Sequence, residues 1–567
     1  MPEPQAPRPT LPDLTPPTGA ARPEAARATR RRPLLHPGGL LVGTALGVLA
    51  LTPGLIPRTG LFQGLVSGVM LAAGYLVGVL LGLLLRPLTR RTGRRLNGAA
   101  WTLLVVVLLL AWAVMGYLGF GWQADQAALL GIPGPQLRDW LIAIPVTVGV
   151  LVVLFVLVRG VRALPRWPRR ALGVVGLVVV AAIAISLAGI PGFNPARTLL
   201  DRAFAVQNEG VFGGAAQPAD PLRSGSPASL VSWDSLGRGG RTFVTTAPSP
   251  ADLARASGHA AVDPVRVYIG LGASEDARER AQLAVRELAR TGAFTRPVIG
   301  VVTTTGTGFA DAEAMNALEL AWGGDTALVT SQYSLLPSGL SFLLDGDRVR
   351  EAGTTMFDAV RAAVDAMPPG APRPKVVVFG ESLGSLGSQA AFPTLDDVRA
   401  RADGALWNGP PNSSPLWHGL VAGRDPGSPE IRPVVEGGRT VRFGGGSVTT
   451  HLPAAPPGPW PDPRVVYLQH ASDPVVWWSP ELLWSRPDWL AEPRGEDVLP
   501  TVRWYPLVTF WQVTMDMIRA QTVPFGHGHN YGPESLDAWM DVVPPPGWTP
   551  ADTARVHAVQ EVPDPTR

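Results

Sequence analysis

The chain has 567 residues, a formal charge of +3 and 46% hydrophobic residues. That length implies two or three folded units, and the near-neutral balance argues against a nucleic-acid binder. It has no cysteine, which excludes disulfides, thiolate nucleophiles and Cys-based metal sites.

Residues 1–37 are rich in Pro, Ala and Arg without apolar periodicity and are expected to form a disordered arm. Five apolar runs follow, at about 38–56, 61–85, 98–120, 140–158 and 171–190, each approaching the length of a membrane-crossing helix. The first contains Pro53. Arginines alternate between the connections. The arm carries Arg8, Arg22, Arg27, Arg30, Arg31 and Arg32, and the first connection only Arg58. The next has Arg86, Arg90, Arg91, Arg94 and Arg95, the third Arg138, and the fourth Arg159, Arg162, Arg166, Arg169 and Arg170. By the positive-inside rule this predicts a multi-pass protein of the cytoplasmic membrane, with its N-terminus cytoplasmic and everything after residue 190 extracytoplasmic. The runs hold no Asp, Glu, Lys or His, so 38–190 reads as a compact anchoring bundle rather than a proton or ion pathway. Small residues four apart (Gly64/Gly68, Gly74/Gly78) allow close helix packing.

Residues 191–228 read as a juxtamembrane helix and linker, and 549–567 as a C-terminal tail. Between them, 229–548 alternates strands and helices. Strands are predicted at 265–271, 296–305, 326–334, 403–411 and 464–470 and in the apolar run from Lys375 into Ser382, and helices from Ser274, over 312–322 and over 350–367. Continuous apolar strands separated by helices predict a doubly wound, mostly parallel sheet.

The apolar β-branched run from Lys375 ends in Gly380-Glu381-Ser382-Leu383-Gly384, the pattern of a strand-to-helix elbow that exposes a serine. Ser382 is the expected nucleophile. The Leu383 N–H and one donor from the loop Thr304–Phe309, among Thr305, Gly306 and Thr307, are the expected oxyanion hole. Asp473 follows a strand and fits the acid that orients an imidazole; Asp497 and Asp516 are fallbacks. The base comes from the Gly526-His527-Gly528-His529 turn, with the spacing to the following helix favouring His527 over His529. Two histidines without a carboxylate-rich partner set do not make a metal site. His470 lies close enough to Asp473 in sequence to support it. The stretch between Asp473 and these histidines carries Trp477, Trp478, Trp484, Trp489, Trp504 and Trp511. They suit an aromatic cap, with Trp477 and Trp478 on an apolar substrate, a membrane-interface surface, or a buried helix pair.

Apolar runs followed by VRVYIGL, TTTGTGF, SQYSLLPS, GESLGS, HASDPVVWW and GHGHNY resemble, as an ordered set, the bacterial membrane-bound α/β-hydrolases. The resemblance implies an α/β-hydrolase fold with a Ser/Asp/His site behind a transmembrane N-terminal domain. The expected activity is a serine esterase or lipase-like hydrolase on lipid-like esters, with an acyltransferase or a non-catalytic sensor as alternatives. No metal or organic cofactor is required; the expected partners are the ester substrate and the lipid bilayer, and no nucleic acid.

Overall fold

The computed structural model describes residues 35–85, 97–163, 203–210, 215–445 and 460–560. The N-terminal part is a helical bundle: α1 (Pro37–Leu49), α2 (Gly60–Leu84), α3 (Gly98–Leu129) and α4 (Ala143–Ala163). Three helices, Gly60–Leu84, Gly98–Leu129 and Leu137–Gly160, are long and apolar enough to cross a membrane. The first predicted run behaves differently. α1 has 13 residues, about 20 Å of helix, and the chain from Ala50 to Arg58 leaves it as a buried loop. The fifth run, 171–190, lies outside the described residues, as does most of the N-terminal arm.

Glycine sets the bundle geometry. A Cβ on Gly64 would sit 2.6 Å from Val146 Cβ and one on Gly68 2.7 Å from Val150 Cβ, while one on Gly74 would meet Val42 O at 2.6 Å. A Cβ on Gly78 would strike Gly38 O. α2 therefore packs backbone to backbone against α1 on one face and closely against α4 on the other. The same pairs fix direction: α1 runs antiparallel to α2, and α4 runs parallel to α2. The arginine-poor connections, 50–59 and 130–142, therefore lie at one end of the bundle. That end meets the C-terminal domain, where Leu55 and Ile56 are buried together with Asp516 and Val523.

The C-terminal domain is built on seven parallel strands in the order β1-β3-β2-β4-β5-β7-β6: β1 (Val265–Ile269), β2 (Val298–Thr303), β3 (Thr326–Ser331), β4 (Lys375–Glu381), β5 (Gly404–Asn408), β6 (Val441–Gly444) and β7 (Arg464–Leu468). Their residues are almost all buried, as expected for a sheet covered on both faces. One face carries α5 (Ala277–Arg290), α6 (Gly346–Asp365) and α7 (Leu383–Gln389). The other carries Ala312–Ala321, Glu534–Val542 and Pro550–Val559. The last of these occupies most of the predicted tail: Val556 is buried, and Arg555 Nε donates to Ala256 O at 2.8 Å. β6 was not expected, because it is four residues long and lies in a Gly/Pro-rich stretch. It pairs with β7 through Val441↔Val465 and Phe443↔Tyr467.

The glycine contacts make a testable claim. Gly78→Val should destabilise the purified protein by about 1–3 kcal/mol through overpacking, whereas Gly149→Val, where a Cβ meets nothing within 4 Å, should not. Thermal unfolding in detergent distinguishes the two, and equal midpoints would contradict the packing.

Candidate active site

The β4–α7 turn is tight. Ser382 has φ 55 and ψ −125, a conformation that costs a non-glycine residue of order 1–3 kcal/mol and is usually kept where it serves function. The flanking glycines are sterically obligatory. A Cβ on Gly380 would strike Gly384 O, and one on Gly384 would strike Thr303 O at the end of β2. The Ser382 N–H donates to Asn408 O at 2.9 Å, tying the elbow to β5. Ser382 itself is half-buried among buried neighbours.

The loop after β2 lies against this elbow, because β2 pairs directly with β4. Its donors are not equivalent. The Thr305 N–H already donates to Phe309 O at 2.8 Å, and the Gly308 N–H to Thr305 O at 2.9 Å, so Thr305 is committed to its own turn. Gly306 is confined by Leu336 O and the Ser341 side chain, where no Cβ fits. The Leu383 N–H opens helix α7 and is one of the orphan donors of its first turn.

Asp473 caps the short helix α8 (Pro474–Trp477) beyond β7 and is fully buried. Its carboxylate accepts from Val475 N–H at 2.8 Å, Tyr531 Oη at 2.7 Å and His529 Nδ1 at 2.7 Å. Of the two candidate histidines, His529 is therefore the one that meets Asp473. Its Nε2 is buried with no protein partner. Burial opposes charge on this ring, but Asp473 outweighs it by charge and hydrogen bond, with Glu381 adding to the effect, and the pKa is raised. Gly409, at φ 51, lies under the ring: a Cβ there would strike His529 Cε1.

His527 is directed elsewhere. Its Nδ1 lies 3.7 Å from Asp497 Oδ2, beyond hydrogen-bond reach, and it lines a cavity of about 220 Å³ with Asp497, Gln469 and Arg432. The spacing argument that favoured His527 fails because the loop is folded. Gly526 and Gly528 both take positive φ, and His527 pairs with Asn530 in a local bridge. The fallback acids are also engaged elsewhere, Asp497 with Ser472 and Asp516 with Arg58.

His470 does not contact the Asp473 side chain. Its ring bridges Glu534 Oε1 and Gly528 O, both at 2.7 Å, and stacks on Tyr531 with ring centroids 4.3 Å apart. Burial would lower its pKa, but Glu534 overrides this by charge and hydrogen bond and raises it to about 9. The imidazolium so formed ties the helix Glu534–Val542 to the carbonyl just before His529. Beside Ser382, Glu381 and Asp311 are buried carboxyl groups. Burial, and then the Glu381 charge, push Asp311 well above the ordinary carboxyl range. Glu381 is raised too, mainly by burial. Sequence reading missed Tyr531, Gly409 and Asp311, and it named His470 as a support for Asp473, whereas the ring serves Glu534, Gly528 O and Tyr531. Only Tyr531, two residues beyond His529, lay within reach of a motif.

The tryptophans divide. Trp477 and Trp489, the latter on the short helix α9 (Asp488–Ala491), are buried, with Trp477 packed against Trp417 and donating to His470 O at 3.0 Å. Trp477 is thus core rather than substrate contact. Trp478 packs against Phe342 and Phe510 and borders a cavity of about 340 Å³ with His418 and Asn412. Trp511 joins the cluster of Val66, Met70 and Val508 where the bundle meets the domain.

Two family models match. The description "Alpha/beta-hydrolase family" fits residues 265–556, and "Alpha/beta-hydrolase family N-terminus" fits residues 51–248. The chain belongs to the α/β-hydrolase family, and its bundle is the family's own N-terminal region. No curated protein and no solved structure matches it.

The His470 bridge predicts an alkaline instability. A histidine whose folded pKa is raised from 6.5 to about 9 stabilises the fold fully below pH 6.5. That contribution, on the order of 3 kcal/mol, is lost as pH rises through about 9. Unfolding midpoints measured from pH 6 to 10 should fall more steeply for the wild type than for His470→Gln, and parallel curves would refute the bridge.

Proposed function

We propose that the protein is a membrane-anchored serine hydrolase that cleaves carboxylic esters of apolar acyl groups through an acyl-enzyme. The observation that carries this reading is the buried Asp473–His529 pair with an unpartnered Nε2, in the same domain as a strained serine elbow. Ser382 attacks the ester carbonyl as its proton passes to His529 Nε2. Asp473 fixes the imidazole tautomer and stabilises the imidazolium. The Leu383 N–H, with a donor from the 304–308 loop other than the committed Thr305, stabilises the oxyanion. The imidazolium returns its proton to the leaving alkoxide, and water, activated by the same base, releases the acid.

An apolar substrate is supported by how the domain is mounted. It sits directly on the arginine-poor end of the bundle, and the bundle itself holds an apolar cavity of about 690 Å³ lined by Trp112, Tyr117, Phe120 and Trp140. Membrane orientation is part of the proposal. The connections that meet the hydrolase domain carry Arg58 and Arg138, and the arginine-rich ones leave the opposite end. This supports a catalytic domain on the extracytoplasmic side.

The test is covalent labelling by a fluorophosphonate. Wild type should label and Ser382→Ala should not. His529→Ala should lose about 10³-fold or more in rate, whereas His527→Ala should stay within a few-fold. Absence of labelling in folded wild-type protein would sink the reading, and loss on removing His527 but not His529 would reassign the base.

A further inference from the structure

The loop Ala50–Arg58 between α1 and α2 is buried against helix α10 (Val508–Ile518) of the hydrolase domain. The contact is polar at its centre. Arg58 Nε lies 2.7 Å from Asp516 Oδ1 and Nη2 3.3 Å from Oδ2, both side chains almost fully excluded from solvent. The Leu55 N–H donates to Asp516 Oδ2 at 2.9 Å, and Gln512 Nε2 to Thr52 O at 2.9 Å. From the bundle side, Gln126 Nε2 donates to Gly54 O at 2.7 Å, and Gln123 Oε1 accepts from the Arg58 N–H. Gly54 leaves no room for a side chain, since a Cβ would strike Arg58 and Asp516.

α10 then leads directly to the histidine loop. Arg519 Nη1 donates to Pro57 O at 2.6 Å on the bundle side. The next residue, Ala520, accepts the His529 N–H at 2.8 Å on the other side. Three residues on, Val523 packs with Ile56 and Leu130 of the bundle, while its carbonyl accepts from Asn530 Nδ2 at 2.7 Å. Segment 519–523 thus has one edge on the bundle loop and the other on the backbone of His529 and the side chain of Asn530. The entry to α10 is itself held in a strained state, with Leu507 at φ 64.

We propose that Arg58 is a positioning residue for the base of this site: through Asp516 and the 519–523 segment, the N-terminal bundle sets where the His529 imidazole stands. This rests on the serine-hydrolase reading above. A buried guanidinium–carboxylate fork fixes direction as well as distance. Moving α10 by a fraction of an ångström moves Ala520 O, and with it His529. The hydrolase is therefore assembled in full only when its domain is seated on the bundle, and changes in bundle packing reach the nucleophile through this contact.

The experiment uses full-length protein in detergent and reads the rate of Ser382 phosphonylation by a fluorophosphonate across pH 5–9. Removing Arg58 alone strands a buried carboxylate and endangers folding. The main variant is therefore the double neutral Arg58→Gln/Asp516→Asn, with Arg58→Lys keeping the charge but losing the fork. The folded double variant should label about 10-fold or more slowly, its acid limb should move toward pH 6.5 as the His529–Asp473 bond loosens, and Arg58→Lys should fall between it and wild type. If the double variant does not fold, Arg519→Gln, which removes the Pro57 contact without stranding an anion, carries the same prediction. Labelling within two-fold of wild type with an unmoved limb would overturn the proposal. Failure of wild type itself to label would instead remove the hydrolase reading on which it stands.

Discussion

A carboxylate with no exposure to water must find donors for both oxygens, and Asp473 finds three: Val475 N–H, Tyr531 Oη and His529 Nδ1. Much of the candidate site follows from that requirement. The N–H ties the carboxylate to the helix it caps. The phenol fixes it from the helix-to-helix loop that also carries His529, and the imidazole is left with one nitrogen committed and the other free. Tyr531 in turn is stacked by His470, and His470 is held by Glu534. The chain of contacts runs from the helix Glu534–Val542 to the histidine through groups that are all buried, so none can move without leaving another unsatisfied.

The serine side is governed by sterics instead. Gly380 and Gly384 are there because β2, β4 and α7 approach closer than any Cβ permits. The strain at Ser382 is the consequence of turning a strand into a helix within that space. The buried carboxyls Asp311 and Glu381 lie beside this elbow, and burial raises the pKa of both.

Much of this was legible in the sequence, for reasons that differ by element. The sheet was readable because its strands are buried on both faces and so are continuously apolar. The elbow was readable because its glycines are obligatory. β6 was not, since four residues held by cross-strand packing leave little local signal. The choice between His527 and His529 was also beyond linear spacing. It depends on two positive-φ glycines folding the turn so that alternate side chains point to different carboxylates, Asp497 and Asp473. Thr305 was a reasonable donor by position, but its own turn consumes its N–H. The tryptophan-rich stretch resolves into core packing at Trp477 and a seat for the bundle at Trp511. Arg58 read as a topology signal from its place in a short connection. Only the fold shows that it also meets Asp516, more than four hundred residues away.

The central claim is that His529, held by Asp473, is the group whose neutral form activates Ser382. The pH dependence of wild-type inactivation by an organophosphorus probe tests it most directly. The account predicts an acid limb above the ordinary histidine value of 6.5, because Asp473 favours the charged ring, and the same limb in His527→Asn. A flat profile, or a limb that moves when His527 is replaced, would contradict it.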